Sequence, residues 1–261
     1  MAKLRILVGL CAALALALAL AVSASSAAAD PFEGPPICAS AGTAISGIYA
    51  DLTITGNEYV KSGTNLTVLG NLTVAPGACL DAFTLGTVHV SGNVLVGKGA
   101  ILALGCSPGA LGPFPPCGTT TTNDSVGGNI VADQPLTMYL TAVTVHGNVA
   151  SFGGGPGPVL SPYVNFPIKE NIISGNLYVS GWQGAWFGVL RNTIDGSAIL
   201  LNNVGVTISE ETNLPDSTEI VTNKISGDLI CFGNVPAAQY GDSGGRPNRV
   251  GGRKIGQCTA V

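Results

Sequence analysis

The stretch "NIISGNLYV", residues 171–179, carries the reading of this chain. Apolar and β-branched residues alternate with polar ones on both sides of Gly175–Asn176, the mark of a half-buried strand, a sharp bend and a second strand. The pattern recurs as "TVHVSGNVLV" at 87–96, "VTVHGNVA" at 143–150, "NTIDGSAIL" at 192–200 and "NKISGDLIC" at 223–231, with "GNLTV" at 70 and "GNIVA" at 128. Glycine is expected to relieve a positive φ at each bend, and asparagine to tolerate the left-handed region beside it.

Successive glycines of the pattern, from Gly70 to Gly227, lie 22, 36, 19, 28, 21 and 31 residues apart. The short intervals approximate one repeat, and the long ones a repeat carrying an insertion. Two all-β architectures compete. An antiparallel β-sandwich would not require similar residues at similar corners. A single-stranded parallel β-helix stacks equivalent corners, where glycine and a side chain able to form amide ladders are favoured. The recurring Gly-Asn selects the β-helix, and repeats of roughly 20 to 25 residues predict about eight to ten coils. Two Pro/Gly-rich loops, 106–125 and 151–167, interrupt the strands without acting as linkers, since the repeat resumes after each.

The first residues read as a targeting segment. Lys3 and Arg5 precede an apolar run from Ile6 to Val22 that ends in Ala27-Ala28-Ala29 before Asp30. This is the pattern of a signal peptide over 1–29, followed by one β-helix domain over 30–261 with a disulfide-closed C-terminal cap at about 231–258. The remaining chain holds no transmembrane segment, so a secreted or cell-wall-associated protein is expected. Without Lys3 and Arg5, nine basic residues face 15 acidic ones, a net charge of -6 that argues against nucleic acid as a partner. Six cysteines remain, Cys38, Cys79, Cys106, Cys117, Cys231 and Cys258, an even number that implies disulfides in an exported chain. Order along the chain favours Cys106 with Cys117 and Cys231 with Cys258, leaving Cys38 for Cys79. No C-x-x-C pair occurs and neither histidine lies near a cysteine, so no metal site is expected, and no motif calls for a cofactor.

The Gly-Asn repeats, with the closing "NKISGDLICFGNVPAAQYGDSGGRPNRVGGRKIGQC", resemble a group of secreted actinobacterial proteins of unknown function that are similar to right-handed parallel β-helices. The tail pattern is carried by Asn223, Gly227, Leu229, Cys231, Gly233, Asn234, Pro236, Pro247, Asn248, Val250, Gly251, Gly256 and Cys258. The resemblance implies a fold and brings no activity with it.

Two stretches resemble catalytic motifs. "GDSGG" at 241–245 matches the nucleophile segment of trypsin-like proteases, but Arg246 interrupts the following Gly-Gly-Pro, and His89 and His146 both sit at repeat corners. A triad needs its base within hydrogen-bond reach of the nucleophile, and nothing here predicts that. "NTIDG" at 192–196 resembles the Asn-Thr-Asp-Gly of polygalacturonases, but Ile194 places Asn192 and Asp195 three apart, on opposite sides of a regular strand. Asp195, Arg191 and Lys224 in adjacent coils are the candidates for a polysaccharide lyase or glycoside hydrolase of this fold. Glu210–Glu211 is read as part of a solvated loop with Asp216 and Glu219.

Binding without cleavage is the favoured expectation. "GWQGAW" sets Trp182 and Trp186 about 13 Å apart along an extended strand, on one face, where two rings could stack on a glycan. The competing reading packs both rings against a neighbouring coil. Arg246, Arg249, Arg253 and Lys254 form a basic C-terminal run suited to acidic wall polymers or to a solvated cap. The sequons at Asn65, Asn71 and Asn123 matter only in a eukaryotic secretory route. The expectation is therefore a non-catalytic secreted protein that presents a rigid surface, with an extracellular glycan or an envelope component as partner.

Overall fold

Alternation along each Gly-Asn unit becomes burial. After the corner, Leu177 and Val179 are buried while Tyr178 and Ser180 point outward, and the equivalent residues of the neighbouring units do the same. Every strand pairing is parallel, and the partner is the equivalent strand of the next coil. A computed structural model of the chain describes residues 37–38, 42–108, 117–157, 164–207, 215–241 and 243–261. It is a parallel β-helix in which three long sheets of eight, nine and nine strands form the walls of one column. The third sheet runs from Leu52–Ile54 to Lys254–Gly256, one strand per coil, giving nine coils, within the range expected from the repeat. The interior is a continuous stack of Val, Leu and Ile with an aromatic cluster at Phe166, Trp182 and Phe187, whose ring centroids lie 5.3 to 6.4 Å apart.

The corners differ, and the difference organises the molecule. From the second coil onward, three residues always separate the second-sheet strand from the third-sheet strand, as in Ser174–Asn176 between Ile172–Ile173 and Leu177–Ser180. The long insertions leave from the two corners that flank the first sheet. Strands of this sheet such as Thr137–Thr141 and Asn165–Lys169 are buried at nearly every position, outward ones included. Under one insertion a satellite core forms from Phe83, Ala103 and the Cys106–Cys117 pair. The disulfides are Cys38–Cys79, Cys106–Cys117 and Cys231–Cys258, with Cα atoms 5.8, 5.5 and 5.2 Å apart, matching the expected pairing.

The constant corner carries an amide ladder. The main-chain N–H of Asn93 donates to Asn71 Oδ1 at 2.9 Å, and Asn129, Asn148 and Asn176 repeat this onto the preceding asparagine at 2.8 to 2.9 Å. Each of these side-chain Nδ2 groups donates to the same oxygen at 3.0 to 3.2 Å. Asp51 closes the ladder at one end by accepting from Asn71 N at 2.7 Å. At the other end Ser197 and Asp228 continue it to Arg253, which forms an ion pair with Asp228 at 3.1 Å. The glycines of the repeat are required for a reason other than the expected one. None of Gly92, Gly128, Gly147, Gly175, Gly196 or Gly227 has a positive φ. A Cβ at Gly175 would stand 2.6 Å from Asn148 Oδ1 and 2.7 Å from the Gly147 carbonyl oxygen, so close approach of coils excludes any side chain.

Positive φ falls instead on Ala142, Glu170, Arg191 and Thr222 at the corner between the first and second sheets. Three of these immediately precede a buried asparagine of a second, interior ladder. Asn171, Asn192 and Asn223 donate through N–H and Nδ2 to the asparagine of the following coil at 2.8 to 3.0 Å, and each gives a second Nδ2 bond to a carbonyl of the preceding coil. Asn203, Asn234 and Gln257 form a third ladder of the same polarity. Val143 occupies the interior asparagine position one turn before Asn171, and Asp124 occupies it two turns before, accepting from Val88 N at 2.7 Å. Its Oδ2 is buried with no partner, and burial pushes its carboxyl up to about 6.

Two outcomes follow. Asn192→Ala should cost about 3 kcal/mol or more, because buried donors on Asn171 and the Ile168 carbonyl lose their partner. The exposed equivalent Asn148→Ala should cost about 1 kcal/mol, since water can replace its bonds; urea midpoints compare the two. For Asp124, the raised folded pKa means its contribution is intact below the unfolded value of 3.8 and is lost as pH rises through about 6. Asp124→Asn should therefore leave stability unchanged near pH 4 and raise it by up to about 3 kcal/mol near pH 8, read as melting temperature against pH.

Candidate binding face

With the first sheet covered, the second and third sheets and the constant corner between them form the open surface. On the third sheet the outward positions should be polar by alternation. They are not: one register column runs Leu95, Val131, Ala150, Tyr178, Ile199, Ile230 and Ile255. The neighbouring column adds Phe152, Leu201 and Phe232, with Phe152 45% and Phe232 49% exposed. Phe152 and Tyr178 lie diagonally, ring centroids 5.2 Å apart and tilted by 37°. A shallow groove opens here, floored by Val131, Ala150 and Ile199, with the Phe152–Tyr178 pair and the ladder residues Asn129 and Asn148 in its lining. At about 4.8 Å per coil the strip is about 30 Å long and about 10 Å wide. That is near 300 Å², the range of the largest apolar patch on an ordinary monomer and well below the roughly 800 Å² per partner of a stable protein interface. Its dimensions fit one extended chain.

The sequence held a signal for this face. Three strands after Gly-Asn, "VLV", "IVA" and "LYV", and "AIL" after Gly-Ser, are apolar at every position, unlike "LTV" at 72–74. A fully apolar strand ordinarily means both faces buried, and here one face is open.

The residues singled out from the sequence are placed as follows. Trp182 is fully buried, and its Nε1–H donates to the Leu136 carbonyl at 3.1 Å, so its ring is out of reach of a glycan. Trp186 points the other way, over the covered outer face of the first sheet, with Lys169 Nζ 4.7 Å from its ring centre. The two rings do not share a face, because the short strand Gln183–Gly184 and a corner fall between them. Asp195 is exposed at the constant corner, Arg191 is bound to Glu170 at 2.8 Å on the opposite corner of the same coil, and Lys224 is exposed one coil on, in register with Thr193. Arg191 is held by Glu170, and Asp195 and Lys224 lie on different coils. The spacing argument placed Asn192 and Asp195 apart, and Asn192 is indeed an interior ladder residue while Asp195 faces solvent.

Asp216 and Glu219, read as solvated, are buried at 8% and 1% exposure. The segment holding Gly241 and Ser243 folds over Glu219: a Cβ at Gly241 would stand 2.3 Å from the Glu219 carboxyl carbon. Trp186 Nε1–H donates to Glu219 Oε1 at 3.2 Å. Burial pushes the Glu219 carboxyl up to about 7, with the neighbouring Asp216 adding to the rise and the Ser243 hydroxyl and Trp186 opposing it. Ser243 thus faces a carboxyl group. His89 and His146 are six and four coils below it, about 29 and 19 Å along the column, and His89 bonds to Ser125 at 2.9 Å. Among the described residues no group of three or more His, Cys, Asp and Glu could hold a metal ion, and no helix is long and apolar enough to cross a membrane.

No protein-family model, curated protein or solved structure matches this chain.

The buried carboxyl has a measurable consequence. A folded pKa raised above 4.5 favours the protonated state, so this contribution is intact below about pH 4.5 and lost as pH rises through about 7. Glu219→Gln should raise the melting temperature near pH 8 and leave it unchanged near pH 4; equal shifts at both pH values would show that Glu219 does not carry the proton.

Proposed function

We propose that this is a secreted, non-catalytic β-helix protein of the extracellular space or cell envelope, and that its third-sheet face binds an extended glycan. The observation that carries this reading is the apolar strip with Phe152 and Tyr178 beside the exposed amide ladder. A sugar ring has an apolar face that stacks on aromatic and aliphatic side chains, and equatorial hydroxyls that need hydrogen-bond partners at its edge. Each ladder Nδ2 uses one hydrogen along the column and keeps a second for a ligand. Three disulfides and the leader-like first 29 residues support export.

The reading of a polysaccharide lyase or hydrolase draws less support. Glycoside cleavage uses two carboxyl groups flanking a bond in a cleft. The carboxyl groups that meet here, Glu219 and Asp216, lie beneath the Gly241–Ser243 segment, away from the open face.

The test is retention of the protein on insoluble cellulose and chitin and on soluble neutral glycans, with reducing-end and unsaturated-product assays on the same samples. Retention without product, weakened about tenfold by Phe152→Ala with Tyr178→Ala, is the expected result. Product release abolished by Asp195→Ala would replace this reading with an enzyme. Absence of retention on every glycan would remove it.

A further inference from the structure

The second sheet breaks a pairing rule at its C-terminal end. Lys224 and Arg249 are exposed and directly in register on adjacent parallel strands, about 4.8 Å apart at the backbone. Like charges placed opposite one another on a sheet are destabilising. Arg246, also exposed, joins them from the preceding corner, where its N–H donates to Thr222 Oγ1 at 2.8 Å. The other cations of this region are engaged: Arg191 with Glu170, Arg253 with Asp228, and Lys254 with the Val261 carbonyl oxygen at 2.5 Å. Lys224, Arg246 and Arg249 form no ion pair among the described residues. Asp195, the exposed carboxylate at the edge of this face, sits one coil below and leaves Lys224 unpaired. A chain of net charge -4 therefore keeps three cations together on this sheet with no ion-pair partner among the described residues.

Below the cations, the same register column continues as Thr193, Ile172, Thr144 and Ser125, a hydroxyl column interrupted once by the exposed Ile172 and ending where Ser125 bonds to His89. We infer that Lys224, Arg249 and Arg246 form a binding site for a carboxylate-bearing polysaccharide, with the cations holding uronate carboxylates and the hydroxyl column contacting sugar hydroxyls. An arginine fork matches a carboxylate in a bidentate pair, and a bridging anion removes the repulsion between Lys224 and Arg249. Single exposed ion pairs are weak in water, so the ligand must be polymeric to be held on a flat face. The hydroxyls of the column favour a sugar, and among the described residues of this column from Arg249 to Ser125 no Phe, Tyr or Trp is present for base stacking. This site is on a different wall from the Phe152–Tyr178 face and shares no residue with it.

The experiment measures retention of the disulfide-intact protein on immobilised polygalacturonate as salt is raised, with dextran, phosphatidylglycerol vesicles and polyuridylate as comparisons. The expected result is binding to polygalacturonate at low salt, lost on adding salt, and reduced about tenfold by Lys224→Gln with Arg249→Gln while circular dichroism stays unchanged. Arg249→Lys should restore part of it, and Phe152→Ala with Tyr178→Ala should leave it intact. Absence of retention at low salt, or equal retention by the Lys224→Gln/Arg249→Gln protein, overturns the proposal. Retention confined to vesicles or to polyuridylate overturns it in favour of a membrane or nucleic-acid surface. Retention of polygalacturonate lost with Phe152→Ala/Tyr178→Ala and not with the cation variant assigns the ligand to the other face and overturns it as well.

Discussion

Close contact between successive corners is the constraint on which the rest of this protein depends. At the corner between the second and third sheets, each coil must come near enough for an asparagine side chain to span to the next main-chain N–H. That distance leaves no room for a Cβ at the preceding residue. Glycine and asparagine are thus one device: the first admits the approach, and the second converts it into hydrogen bonds that would otherwise be missing where strands end. Because each rung couples neighbouring coils, an insertion at this corner would break two rungs at once. The longer connections leave from the other two corners, including that of the Asn203–Asn234 ladder.

Ladder polarity adds a second level of order. In the exposed ladder each coil donates to the preceding one, while in the interior ladders each coil donates to the following one. The ends follow the same logic. The exposed ladder finishes on Asp51, an acceptor needing no further donor, and on Arg253, a donor paired with Asp228. Two turns before the interior ladder, with Val143 between, Asp124 stands in an amide position, and its orphan oxygen shows what the missing Nδ2 contributes elsewhere. The left-handed residues Glu170, Arg191 and Thr222 pose a local cost at this corner. The buried asparagine beside each one forms several bonds, enough to hold that conformation.

The parts legible in the sequence were those set by neighbours in the chain or by strict repetition. The intervals between glycines equal the separations of the ladder bonds, 22, 36, 19, 28, 21 and 31 residues, so coil number and insertion sites could be read directly. Local order likewise anticipated the cysteine pairs. What stayed hidden depended on which way a segment folds after leaving the column. Asp216 and Glu219 are polar residues beside a loop, and only the return of the Gly241–Ser243 segment buries them. Trp182 and Trp186 have the spacing of one strand face, yet a corner falls between them and sends one ring into the core and the other outward. The reason for glycine was misread because a bend suggests torsion first, whereas the limiting quantity is a distance to another coil.

The same geometry bears on what the surface can do. A solenoid wall repeats its outward side chains at the strand spacing, so a single substitution alters one point while a register column defines a line. Selection acting only on solubility would place polar or charged residues along such a line. Third-sheet positions from Leu95 to Ile255 are apolar in seven successive coils, and they adjoin the corner that never takes an insertion. On the adjacent wall a cation pair stands in register where a neutral or opposite-charge pair would be more stable. Both are departures from the pattern that alternation and charge pairing set for an outward sheet face, and both lie on the second and third sheets. Neither departure is explained by folding or solubility alone, and it is on these two departures that the proposed recognition of an elongated ligand rests.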